Sequence, residues 1–129
     1  MKLINHETQG VEDWRPGVAT RMLASAVNGS VQLCIFDQYC EPGLGAPTHL
    51  HAVEELLTVM GGRAKIWVGG DEVEAGPGNS VLIPAGTKHG FRNIEKEGLL
   101  HMRATLAAPI FEATYDDRSE MSRRYVPER

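Results

Sequence analysis

The chain has 129 residues, a formal net charge of −4 with acidic and basic residues interspersed, and two cysteines. That is the size of one ordinary domain, able to bury a core without staples, and it lacks the basic patch of a nucleic-acid reader. Residues 1–7 have no signal-peptide core, and no apolar run reaches the ~18 residues of a membrane helix. A cytoplasmic protein with no nucleic-acid or membrane partner is expected.

In chain order, residues 1–13 are polar and read as a loose arm, or as one that crosses to a second subunit. From Val18 onward Gly, Pro and Asn-Gly punctuate the chain roughly every eight to twelve residues, the spacing of an all-β sandwich or barrel. Asn28-Gly29, between residues 18–27 and 30–40, predicts a hairpin with a type I′ turn. Cys34 and Cys40 fall on one expected strand, about 20 Å apart at ~3.3 Å per residue, too far for a disulfide. Glu41-Pro42-Gly43 and Gly45 break that strand and lead to His49. Residues 55–60 and 63–68 flank Gly61-Gly62 as a second hairpin. Turns at 69–71 and 76–78 bracket a short segment, and Ala85-Gly86-Thr87 separates 79–84 from 88–93.

Residues 99–106 read as the last long strand. Leu100, Met102, Ala104 and Leu106 form its interior face, which leaves His101, Arg103 and Thr105 outside or at a subunit contact. Helical periodicity is poor up to Ala107, and the one helical pattern, 115–124, lies in a charged tail (107–129) expected to be solvated.

Chemistry concentrates in two stretches. The first carries Gly43, His49, His51, Glu55 and Gly62; the second carries Gly78, Pro84, Gly86, His89 and Asn93. Three imidazoles and a carboxylate suit one divalent transition metal (Fe, Mn, Ni, Zn, Cu or Co) and leave positions open for water or substrate. On a strand, His49 and His51 face the same way, about 6–7 Å apart. Glu55 follows a tight reversal, and Glu54 is the rival carboxylate; parity along 49, 51, 53 and 55 selects Glu55. Leu57 and Val59 then share its face as apolar walls, with Leu56, Thr58 and Met60 outside. Gly86 frees the turn before His89. Phe91 follows as a third wall and Asn93 as a local hydrogen-bonding residue, while Lys88 and Arg92 point outward.

These stretches resemble the paired motifs of the cupin superfamily, with every signature position filled and a short spacer, residues 63–77, between them. The resemblance implies a small single-domain cupin: an all-β, double-stranded β-helix (jelly-roll) barrel over about 18–106, with short N- and C-terminal extensions. It also implies one metal in the mouth, and a homodimer. Trp14-Arg15-Pro16-Gly17 and Pro109-Ile110-Phe111-Glu112 resemble parts of a small single-domain cupin group, with Trp14 and Phe111 as packing or interface residues. The motifs specify fold and metal, not reaction. The leading expectation is a metal-dependent enzyme of dioxygenase type acting on a small, largely apolar or cyclic substrate, with Glu55 as a candidate base. The alternatives are an isomerase or epimerase of sugar acids or sugar phosphates, which needs a cation in the pocket, and a non-catalytic metal-dependent binding or sensing module.

Overall fold

The computed structural model describes residues 1–128, so Arg129, the last residue of the expected tail, lies outside it. The chain is all-β. In order the strands are β1 (Val11–Arg15), β2 (Val18–Ala24), β3 (Cys34–Cys40), β4 (Gly45–Leu50), β5 (Glu55–Gly61), β6 (Ala64–Val68) and β7 (Asp71–Ala75). There follow β8 (Ser80–Ile83), β9 (His89–Asn93), β10 (Leu100–Leu106), β11 (Phe111–Glu112), β12 (Thr114–Tyr115) and β13 (Arg123–Arg124). No helix among the described residues is long and apolar enough to cross a membrane.

Two antiparallel sheets form the barrel, one ordered β1-β2-β3-β10-β5-β8 and the other β12-β4-β9-β6-β7. Side chains alternate across each strand, so a strand with one apolar parity buries that face against the opposite sheet. β10 shows this cleanly: Leu100, Met102, Ala104 and Leu106 are buried, and His101, Arg103 and Thr105 are partly exposed. Leu57 and Val59 on β5 and Ile66 on β6 meet the same core, while Leu56 and Thr58 face outward. Cys34 and Cys40 are unpaired and buried at opposite ends of β3, and burial pushes both thiols up to about 12.

Two local expectations differ from the structure. β2 and β3 do pair as antiparallel neighbours, but no type I′ turn joins them. Ser25 caps a 3-10 turn over Ala26–Asn28 with a full capping box, and only Gly29 takes a left-handed conformation (φ 102°). The Asn28 side chain therefore serves the turn, accepting from Ser25 N and donating to Leu23 O.

The second difference is the tail. Residues 115–124 are not helical: β11 pairs with β13, and β12 adds to the edge of β4 with Tyr115 opposite His49. Phe111, Ala113 and Tyr115 are buried there, so apolar burial at alternate positions holds the segment extended against the barrel. His101 and Arg103 face outward as expected, and there they converge on a carboxylate. Asp37 accepts from Arg103 Nε and Nη2 at 2.7 and 3.0 Å, and His101 Nε2 lies 2.9 Å from its Oδ2.

A candidate metal centre between the two sheets

The motif glycines and Asn93 lock the two stretches to each other. Gly86, at φ 75°, donates its N–H to the carbonyl of His51 at 2.7 Å, so the turn before β9 holds the first motif's histidine. Gly43 N donates to Asn93 O, and Asn93 N to Leu44 O, each at 2.9 Å. The Asn93 amide then donates to the carbonyls of Cys40 and Gly98. At Gly62 (φ 81°) a Cβ would sit 3.0 Å from the Leu99 carbonyl, so the hairpin after β5 needs glycine twice over. Gly78 also takes a positive φ, and Pro84 ends β8 ahead of the Gly86 turn.

These ties bring His49, His51, Glu55 and His89 together. All four are buried, and one potential ligand atom from each lies within 4.8 Å of the others. His49 on β4 sits opposite His89 on β9. His51 follows the end of β4, and Glu55 begins β5 in the facing sheet. Glu54, the rival carboxylate, is exposed.

Each imidazole is held by its Nδ1, which faces a backbone carbonyl: Pro47 O at 2.6 Å from His49, Glu112 O at 2.7 Å from His51, and Thr87 O at 2.8 Å from His89. A proton on Nδ1 leaves Nε2 as a bare lone pair, the tautomer that metals take. The Nε2 atoms of His51 and His89 and Oε1 of Glu55 are buried with no hydrogen-bond partner. Yet His89 Nε2 and Glu55 Oε1 are only 2.8 Å apart, and His51 Nε2 lies 3.5 Å from Oε2. Groups converging at such distances away from water repel one another unless a proton or a metal ion lies between them. The residues thus fit a divalent ion and could hold one.

Burial, with the neighbouring His89 and His51, pushes His49 down to about 3, so it stays neutral at ordinary pH. Burial alone would raise Glu55, but where a proton and not an ion bridges them, the hydrogen bonds and charge of His51 and His89 outweigh burial and hold the carboxyl at about 2. Burial also lowers His51, and the adjoining Glu55 carboxylate more than reverses that.

A small cavity of about 10 Å³, room for about one water, lies beside these four residues, with His49 and Glu55 in its wall. Leu57 and Phe91 line it; Val59, expected beside them, is buried in the core and does not. The rest of its apolar wall comes from Trp14, Phe36, Ala46 and Phe111. Trp14 and Phe111 pack edge to face with ring centroids 4.6 Å apart, and Phe111 also meets the His51 ring at 5.4 Å. Arg15, Gln38 and Tyr115 supply polar groups that the motif reading missed. Arg15 lay inside a singled-out run, but nothing in the sequence shows which way it points. Lys65 and Arg103 do not line the cavity.

A family model described as a cupin domain matches residues 37–103, just over half the chain. The chain belongs to the cupin family. No curated protein matches this cupin, but solved structures do. KdgF from Halomonas sp. is 18% identical with a TM-score of 0.72, covering 83% of this cupin and 94% of that chain. The polyketide cyclase RemF from Streptomyces resistomycificus is 20% identical with a TM-score of 0.74, over 90% of this cupin and 85% of that chain. Oxalate decarboxylase from Lactobacillus farciminis gives 18% identity and a TM-score of 0.77, over 88% of this cupin but only 35% of that chain. At these identities the likeness is one of fold.

Proposed function

We propose that this cupin is a metalloenzyme. His49, His51, Glu55 and His89 hold one divalent transition metal, and the aromatic-lined space beside it, about 10 Å³ in the free protein, widens to take a small, largely apolar or cyclic substrate. The observation that carries the reading is the set of buried Nε2 and carboxylate atoms left without partners around one point. When bound, the ion would supply Lewis acidity to a substrate oxygen and a centre for dioxygenase-type chemistry.

The chain's own contribution is an ordered ligand set and a wall that excludes water. Three backbone carbonyls fix the imidazole rings, and aromatic side chains make most of the rest of the wall. Glu55 serves as a ligand in this reading. Bound to the ion it would be a weak proton acceptor, and a role as base requires its partial release from the metal.

Arg15 supports the sugar-acid isomerase as a second reading, because it puts a cation in the cavity wall. A sugar's hydroxyl groups would also need partners there. Gln38 already donates to Thr20 Oγ1 at 3.1 Å, and the remaining wall is chiefly apolar, so the largely apolar substrate is favoured.

Metal analysis of the purified protein should find near one equivalent of transition metal per chain. Glu55→Gln should lose most of it and Glu54→Gln almost none. The metal-loaded protein, given a metabolite panel while oxygen uptake and product masses are followed, should turn over a cyclic compound. A protein that takes up no metal, before or after reconstitution, overturns the proposal. Ligand-induced melting shifts without product from any binder would replace catalysis by binding or sensing.

A further inference from the structure

Arg15 lies where strand alternation would not put it. On β1 the side chain of Trp14 points into the barrel, so its neighbour should point out. The β1–β2 register shifts between Asp13 and Arg15, and such a bulge re-aims a side chain. Trp14 and Arg15 consequently both line the cavity beside His49 and Glu55. Among the described residues Arg15 is the one cation in that wall.

Its guanidinium is already occupied. Nε and Nη2 grip the two oxygens of Glu120 at 3.0 and 3.2 Å, Nη1 donates to Gly45 O, and Nη2 also reaches Tyr115 Oη at 3.3 Å. Both side chains of the pair are only 14% exposed. Arg15, Ala46 and Phe91 line the inner cavity and also an outer groove, and Glu120 stands in that groove. The ion pair is therefore where the surface meets the interior. Glu120 comes from 116–122, a stretch with no strand, in which its own N–H bonds only to Asp117 O.

We propose that Arg15 binds the acidic group of the substrate, that Glu120 holds its place in the free protein, and that the substrate is a small cyclic or aromatic carboxylic acid. A fork-shaped guanidinium matches a carboxylate through two parallel bonds. A largely buried guanidinium that loses its partner is costly. Only an incoming anion can therefore displace Glu120 without leaving Arg15 uncompensated. The ring that the carboxylate carries then enters from the outer groove and widens the inner aromatic-walled space, which by itself holds only about 10 Å³. The proposal rests on the reading of this cavity as the substrate site, and it names the substrate's class.

Benzoate and benzamide, nearly equal in shape and different in charge, test it by calorimetric titration of the metal-loaded protein, with the metal content of every sample measured. Wild type should bind benzoate in preference to benzamide. Glu120→Gln should tighten benzoate by about tenfold or more, because the internal competitor loses its charge, and leave benzamide within about twofold. Arg15→Met, which keeps the length and packing of the stem, should abolish the preference. Benzoate affinity indifferent to both substitutions, or no benzoate binding by wild type and Glu120→Gln alike, overturns the proposal. Either result in a metal-replete protein leaves the metal reading standing. Arg15-dependent selectivity in a protein that takes up no metal would sink the metal reading and keep this one.

Discussion

Asp37 is a carboxylate on the outer face of a sheet that is nonetheless almost fully buried, at 2% exposure. Arg103 and His101, from the neighbouring β10, cover it. Burial pushes its carboxyl up, but the bonds and charge of Arg103, with the help of His101, win and leave it below its ordinary 3.8. A carboxylate depressed in the folded state stabilises the fold above its unfolded value, and loses that contribution as pH falls through the folded value. Asp37→Asn should therefore cost about 1–3 kcal/mol near pH 7, since it weakens two charge-assisted bonds and strips Arg103 of its counter-ion. The gap between wild type and variant should close only as the pH drops below about 3.8. Urea unfolding from pH 7 downward measures it. A gap unchanged down to the lowest pH at which both proteins fold would show that the cluster does not hold Asp37 ionised.

At the scale of elements, the tail links packing to the candidate metal centre. Phe111 is 2% exposed and touches Trp14, Phe36 and the His51 ring, while the next residue's carbonyl accepts from His51 Nδ1. Phe111→Ala should cost about 3–5 kcal/mol through the cavity it leaves. It should also weaken metal binding, because the Glu112 carbonyl that aims His51 is no longer anchored. Chemical denaturation and a chelator competition check the two effects together. Normal metal affinity in a destabilised variant would show that β11 packs without orienting the ligand.

That dependence was not legible in the sequence. β10 and β5 could be read because one parity is apolar and the other polar, so burial and pattern coincide. Glu55 was separable from Glu54, although the chain bends between His51 and Glu55. In the tail, charged residues between the buried ones mimic a solvated helix, and only the groove beside β4 makes 114–115 a strand. Arg15 and Glu120 are 105 positions apart, and no local pattern announces a pair at that separation.

At the scale of the whole molecule, the sheets bury an apolar core that needs no ion. Leu57, Ile66, Ile83, Leu100, Met102 and Leu106 pack between them at 2% exposure or less. The four converging polar groups sit at one place in this core, and those of His51, Glu55 and His89 each present a buried atom without a hydrogen-bond partner. Stripping the metal should thus leave the barrel folded but less stable. Binding linkage gives about 4 kcal/mol when free metal exceeds Kd a thousandfold. For a domain of this size that corresponds to a melting shift on the order of ten degrees or more. Calorimetry with and without chelator should show the shift in wild type. In His49→Ala and His89→Ala it should largely vanish while a cooperative transition persists. Loss of that transition in both variants would make the centre a structural staple and remove the ground for assigning it chemistry. A persistent transition whose midpoint no longer responds to metal would mean that the fold supports the site, and that the ligands are free to serve the ion and whatever enters beside it.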